Sequence, residues 1–193
     1  MLLIGQKGIV QIIQAGMLVE YHLHSSFFFD AIQDKDISIL IPGCGNAHEA
    51  HYLLQNGFRN CTLVDISPLL IEKLRKDLQE PIEKGFCQLI CADFFSLDGT
   101  YEIIFEQTFF CALDPSLRSA YSQKMAKLLT PNGHLVGLLF NRVFQGGPPF
   151  GGSKEEYLRL FSDIFIIHKM EDCEYSIPAR AGTELWFDVT PIP

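Results

Sequence analysis

Ile39-Leu40-Ile41-Pro42-Gly43-Cys44-Gly45-Asn46-Ala47-His48-Glu49 is an apolar run that breaks into a glycine turn and reopens as the start of a helix. Glycines in such a turn let the backbone approach a ligand without a Cβ, and the helix that follows offers unpaired N–H groups to an acceptor. The stretch therefore predicts a small-molecule site at the carboxyl end of a strand.

Short β-branched or apolar runs alternate with helical segments on either side of it, the signature of βαβ units around a mostly parallel sheet. The expected strands are Ile37–Ile41, Cys61–Asp65, Cys87–Cys91, Tyr101–Phe105 and His134–Phe140. Between them, Ala47–Asn56 reads as a helix closed by Gly57, and Pro68–Gln79 as a helix capped by Ser67 with Pro68 at its first position. Pro115–Leu129 reads as a third helix capped by Asp114 and ended by the turn Thr130-Pro131-Asn132-Gly133. Ser153-Lys154-Glu155-Glu156 is a capping box that opens a fourth, through about Phe161. The runs Ile164–Lys169 and Glu184–Thr190 have no helix between them. They form an antiparallel hairpin at the sheet edge, since a parallel return needs a crossover. Residues 1–36 read as an N-terminal helical extension, with one short helix through Ile9, Ile12, Ile13 and Gly16 and another over Phe27–Ile32. Residues 37–193 form the main domain.

The chain has 193 residues, enough for one domain, and its 48% hydrophobic and 20% charged content excludes global disorder. Fifteen Lys and Arg against 23 Asp and Glu leave a net charge of −8 with no basic run, so no nucleic-acid partner is expected. Gln, Gly and Glu interrupt the apolar patches of the first 25 residues, and no basic start with a cleavage site is present, so neither a membrane span nor a leader is expected. A cytoplasmic protein follows. Cys44, Cys61, Cys87, Cys91, Cys111 and Cys173 stand singly in apolar surroundings and are expected to be reduced and buried. A metal is not expected: a zinc helix through His48 and Glu49 would need its second His where Tyr52 stands.

Asp65 closes its strand 65 − 43 = 22 residues after Gly43, where Rossmann-like folds keep an acid for ribose hydroxyls. A nicotinamide dinucleotide is disfavoured, because its fingerprint needs glycine where His48 stands, and no Gly-Lys-Ser/Thr supplies a phosphate loop. A ribose-bearing ligand without phosphates remains, and S-adenosylmethionine, with S-adenosylhomocysteine as its product, fits. Asp93 ends the third strand, where its carboxylate can accept from an adenine amino group while Phe94 packs on the ring. Glu106 and Gln107 end the fourth and should face the methyl donor.

Pro42–Glu49, the run Glu106–Pro115 with Arg118 after it, and Gly146-Gly147-Pro148-Pro149-Phe150 together resemble the thiopurine S-methyltransferase family, nearest its halide/thiol methyltransferase branch. The resemblance covers roughly residues 37–190. It implies the Rossmann-like class I methyltransferase fold, an α/β architecture with a seven-stranded mostly parallel sheet, an antiparallel last strand and helices on both faces. It also implies that Gly43, Cys44, Gly45 and Asp65 hold the methionine and ribose portions of the donor and Asp93 with Phe94 the adenine. Asn46, Glu49 and Ile66 complete the expected donor-facing set, and Glu106 and Gln107 line its pocket. The family opens with Trp-containing segments that close over the donor, whereas Trp186 is the one Trp here. Either residues 1–36 supply a different lid, with His22–Phe29 as its candidate, or the pocket stays more open.

The function these residues imply is methyl transfer to a small soft nucleophile, a thiol or halide, or a thiopurine-like acceptor. In such a displacement an anionic acceptor and a cationic donor both lose charge, so a dry apolar cavity accelerates it. Phe109, Phe110 and Phe150 are its candidate walls. Arg118 and Arg180 match arginines that the family keeps near the acceptor, where a guanidinium can pair with an anion. Cys44 is the thiol that the turn is expected to expose. An O- or N-methyltransferase, with Glu106 or His48 as base, and a non-catalytic donor-binding protein are the alternatives. The protein is expected to act as a monomer or weak homodimer on a small-molecule acceptor.

Overall fold

The computed structural model describes residues 28–174 and 176–193 with their side chains, and 12–14 and 17–19 by their backbone. β1 (Ile12–Gln14) and β2 (Met17–Val19) pair antiparallel, with Ile12 opposite Val19. The helix expected through Ile9–Gly16 is thus a strand where it is described; adjacent Ile12 and Ile13 are β-branched and favour the extended form. Ile9 and Gly16 lie outside the described residues. Residues 28–30 form one helical turn inside the expected second helix, and Phe27 lies outside the described residues.

The main sheet contains β3 (Ile39–Pro42), β4 (Cys61–Asp65), β5 (Cys87–Cys91), β6 (Tyr101–Gln107), β7 (Leu129–Phe140), β8 (Phe165–Asp172) and β9 (Glu184–Pro191), in the order β5-β4-β3-β6-β7-β9-β8. The first five pair in parallel, and β9 is antiparallel to both β7 and β8, as the hairpin reading expected. Alternate residues of the central strands feed two separate cores. Ile39, Ile41, Ile103, Phe105 and Trp186 pack on one face with α1 (His48–Gln55) and α2 (Pro68–Asp77). Leu40, Ile104, Leu135, Leu139 and Phe187 pack on the other with α4 (Arg118–Leu128) and α5 (Lys154–Phe161). A sheet covered on both faces buries the middle of its central strands, which is why those strands read as largely apolar runs.

Beyond small shifts at the ends of elements such as β3, β6 and β8, three segments differ from expectation. The helix expected to run from Pro68 to Gln79 breaks at Leu78 and restarts as α3 (Gln79–Glu83). Pro81 lacks an N–H and its ring would strike the carbonyl of Asp77, the last residue of α2. The helix expected over Pro115–Leu129 begins as a 3₁₀ turn, Pro115–Leu117, capped by the Asp114 carboxylate, which accepts from the Ser116 N–H at 2.9 Å. Its expected last residue, Leu129, already belongs to β7. The Thr130–Gly133 turn does not separate helix from strand but sits inside β7 as a bulge, the four residues between Leu129 and His134 facing the single Glu102 between Tyr101 and Ile103.

The Phe28–Phe29 end of the expected lid is core: Phe29 is 1% exposed, and its ring stands 5.2 Å from Phe105 and 5.8 Å from Phe58. Cys91 departs from the buried-thiol expectation and is exposed, because β5 is the edge strand. Among the described residues, no helix is long and apolar enough to cross a membrane, and no group of three His, Cys, Asp or Glu could hold a metal ion.

Gly137 of β7 lies beside Glu106 of β6, and a Cβ there would stand 1.8 Å from the Glu106 carbonyl oxygen. Backbone cannot yield as a side-chain tip can. Gly137→Ala is expected to destabilise the fold by about 3 kcal/mol, lowering the melting temperature by about 6–12 °C. A melting temperature within about 2 °C of wild type would show that β6 and β7 separate freely.

Candidate functional site

Strand order reverses between β3 and β6, and in open α/β sheets the crevice outside the carboxyl ends at such a point is where ligands bind. A cavity of about 320 Å³ opens there, walled by Gly43 from β3, Asp65 and Ile66 from β4, Asp93 and Phe94 after β5, and Thr108 and Phe109 after β6. Its size is at the lower end for small-ligand sites. The Asp65 carboxylate is fixed from both sides, Oδ2 accepting from the Gly45 N–H at 3.2 Å and Oδ1 from the Ser67 N–H at 2.9 Å. Each oxygen keeps a lone pair for a further donor. Asp93 caps the 3₁₀ turn Phe94–Ser96 by accepting from the Phe95 N–H at 2.9 Å and still faces the cavity.

The two turn glycines have different physical reasons. Gly43 has φ +55°, and a Cβ there would meet the Phe109 ring at 2.2 Å, so its missing side chain admits Phe109. Gly45 has φ +51°, and the nearest atom to a Cβ there is the Gly43 carbonyl oxygen at 4.0 Å. The space over Gly45 is open to a ligand.

Glu106 is not a cavity wall. It is 0% exposed; its Oε1 accepts from the N–H groups of Phe109 (2.8 Å) and Phe110 (2.9 Å), and its Oε2 accepts from the Tyr121 hydroxyl (2.8 Å). Burial, which these three bonds only partly offset, raises its carboxyl to about 7. The position expected to face the donor therefore holds the loop behind it. Gln107 is likewise absent from the cavity wall, while Thr108, with φ +66°, is part of it. Sequence carries no signal for that conformation, since a left-handed Thr is rare.

A second loop, Asn141 to Ser153, lies next to the first, and Phe150 N–H donates to the Cys111 carbonyl at 2.6 Å. Arg118 anchors it: the guanidinium pairs with Glu156, donates to the Gly151 carbonyl at 2.6 Å and stacks on Phe110 at 4.9 Å. It is 6% exposed and braces α4 against α5, so the structure gives it a tether's place and not the acceptor's. Arg180 is different: it is one third exposed, bonds Glu184 at 3.2 Å and lies 5.4 Å over Phe140. Its charge reaches Glu49, whose carboxyl burial raises to about 7, and Cys111.

Of the expected donor-facing residues, the cavity brings together Gly43, Asp65, Ile66, Asp93 and Phe94, with Phe109 from the expected acceptor set. Gly45 adjoins it through Asp65. Cys44 is only 6% exposed and burial pushes its thiol up to about 12, against the exposure expected of it. Asn46 points to α2, its Oδ1 accepting from Lys73 at 3.0 Å, and Phe110 is core. Phe95 and Leu113 also wall the cavity and were not singled out in the sequence. For Phe95, the Phe94-Phe95 pair after β5 was the one available signal.

The sheet order and the crevice define a class I methyltransferase fold. A 1,6-didemethyltoxoflavin-N1-methyltransferase from Burkholderia thailandensis, solved with S-adenosylhomocysteine, superposes with a TM-score of 0.68 at 17% identity over 88% of this chain and 77% of that one. Two plant proteins are similar in sequence. A probable thiol methyltransferase 2 from Arabidopsis thaliana is 31% identical and thiocyanate methyltransferase 1 from Brassica oleracea 29%, each over 149 residues. Each match covers 75% of this chain and 66% of the relative, just under two thirds of its length. The family model for thiopurine S-methyltransferase matches residues 19–185, and the chain belongs to that family.

The raised pKa of Glu106 has a stability consequence. Between its ordinary 4.5 and about 7 the folded chain holds a proton that the unfolded chain has released, so stability falls as pH rises through this window. The fall amounts to about 3 kcal/mol at ~1.4 kcal/mol per unit. Glu106→Gln removes it: the stability difference between wild type and variant in urea unfolding should change by about that amount between pH ~4 and pH ~8. Parallel stability curves would show that Glu106 has the same pKa in the folded and unfolded chains.

Proposed function

We propose that this protein is an S-adenosylmethionine-dependent methyltransferase whose acceptors are small soft nucleophiles, thiols or halides. The observation that carries the reading is one cavity in which two carboxylates, Asp65 and Asp93, face an apolar slot formed by Phe94, Phe95 and Phe109. That set fits a nucleoside: hydroxyl and amino donors meet carboxylates while the base lies between apolar walls. The open space over Gly45 fits the chain that leaves the ribose. The family membership and the thiol and thiocyanate methyltransferases among its relatives support the same assignment.

The bound cofactor supplies a methyl group on a sulfonium centre. Asp65 holds the ribose hydroxyls, and Asp93 with Phe94 holds the adenine. Phe109 and Phe150, on two loops joined by the Phe150–Cys111 bond, exclude water from the acceptor's approach. Arg180 offers the acceptor a partly exposed positive charge beside Phe140. Transfer to an anion needs no base, so positioning donor and acceptor at ~3–3.5 Å carries much of the rate. Glu106 has both oxygens engaged and is unsuited to proton abstraction from a substrate.

Glu49 supports the O- or N-methyl reading, since a carboxyl that burial raises to about 7 is what a general base for a neutral acceptor requires. The reading places the protein in the cytoplasm, as a monomer or weak homodimer, with a small-molecule acceptor and no nucleic acid or membrane partner.

Asp65→Ala should weaken S-adenosylhomocysteine binding by ~2–4 kcal/mol in calorimetry, the loss of charge-assisted bonds partly replaced by water. Unchanged affinity would remove Asp65 from the site.

Turnover on a panel of thiols, halides and catechols tests the acceptor. With thiols the rate should climb with pH toward the thiol's own pKa, near ~8.5, and then level. Glu49→Gln should leave that profile in place. Faster turnover of catechols that Glu49→Gln abolishes would establish the O-methyl reading. Donor binding without turnover on any acceptor would establish a non-catalytic role.

A further inference from the structure

We propose that Glu106 is the positioning residue of the donor cavity: its carboxylate gathers the loop after β6 and sets the Phe109 ring against Gly43, fixing the width of the adenosyl slot. This rests on the donor-binding reading above. The chain turns back at Thr108, and the next two N–H groups converge on one oxygen of Glu106. From that turn the Phe109 ring reaches the place where a Gly43 side chain would be and stands 5.1 Å from Phe94. Thr108, Phe109, Phe94 and Gly43 are all cavity walls. The other oxygen takes the Tyr121 hydroxyl, and the Tyr121 ring lies 5.0 Å from Phe110 and 6.2 Å from Phe109. One buried side chain thus ties α4 to the wall of the slot.

Among the described residues no basic side chain pairs with Glu106, so its charge is buried at a cost that an ion pair does not offset. What the carboxylate supplies is geometry. It accepts three donors in two directions, and with an apolar residue in its place two amides and a hydroxyl would be left buried without partners. Protonation weakens the acceptor, so the grip on Phe109 should loosen as Glu106 takes up a proton.

The groups that face Glu106 are Tyr121 from α4 and Cys111 from the adjoining turn; burial holds the first well above its ordinary value and the second at about 12, so both stay protonated near neutrality. Glu49, on α1, also titrates near 7 and is common to wild type and variants.

The test is the affinity for S-adenosylhomocysteine from pH ~5.5 to ~8, together with amide protection factors of Phe109 and Phe110 in the free protein over the same window. In wild type, acidification should weaken affinity about tenfold, the difference between a charged and a neutral acceptor, and lower both protection factors. Glu106→Gln, whose carbonyl can still accept the two amides, should fold, bind and show neither change beyond that due to Glu49. Tyr121→Phe removes one donor to the carboxylate and should move both transitions to higher pH. Identical pH dependence in wild type and Glu106→Gln would overturn the proposal, as would protection factors that ignore pH. A wild type that binds no donor at any pH would sink the functional reading instead, and the protection factors alone would then decide whether Glu106 sets the loop.

Discussion

The approach of β6 to its neighbours is the constraint on which the site depends. On one side the Phe109 ring fills the space over Gly43, and on the other the Glu106 carbonyl fills the space over Gly137. Neither glycine is needed merely to turn the chain; each removes a side chain that would hold strands or loops apart. With both in place the carboxyl ends of β3 and β6 converge where the strand order reverses, and a crevice forms there with an aromatic wall. The packing that closes the sheet and the packing that shapes the cavity are therefore one arrangement.

Two buried ionisable side chains hold the loops above that crevice by different means. Glu106 is a carboxyl met by amide and hydroxyl donors, whereas Arg118 is a cation met by the Glu156 carboxylate, a carbonyl and the face of Phe110. A planar guanidinium suits the second task because it can bond two partners in its plane and stack at the same time. The Gly151 that accepts from Arg118 has no room for a Cβ, which would stand 1.9 Å from the Arg142 carbonyl. Gly152 is confined in the same way by the Tyr157 hydroxyl at 2.2 Å. The glycines after Phe150 are thus packing residues, and the loop they belong to is braced at both ends.

Much of this was legible in the sequence, and the parts that were not share a cause. Strand and helix patterns are local, so Cys61–Asp65 and Cys87–Cys91 were placed to the residue and Ser67, Asp114 and Ser153 were found as caps. The β8–β9 hairpin followed from the lack of a crossover segment. Missed were features set by partners distant in the chain. Glu106 stands at a strand end where a ligand-facing acid is usual, and only the fold shows that the next loop consumes both its oxygens. Arg118 was read toward an acceptor because the segment that buries it lies 33 to 38 residues away. Thr130–Gly133 has the composition of a turn between elements, but pairing with β6 on both sides absorbs it into one strand.

Titration of the buried groups sets stability and chemistry against each other. Glu106 and Glu49, raised to about 7 by burial, and His134, raised by its 2.7 Å bond to Asp188, all favour the protonated folded state. For each, the folded chain binds a proton more readily than the unfolded one, so stability is lost as pH rises through the folded pKa. His48 and His51 work the other way, since burial lowers both and their contribution is lost as pH falls. An acceptor thiol, by contrast, needs alkaline conditions to supply its thiolate. A positive charge near the acceptor relieves the conflict, because it lowers the pH at which the thiolate forms without touching the buried acids. Of the two arginines, Arg180 is partly exposed between Glu184 and Phe140, whereas Arg118 is sealed beneath the loop.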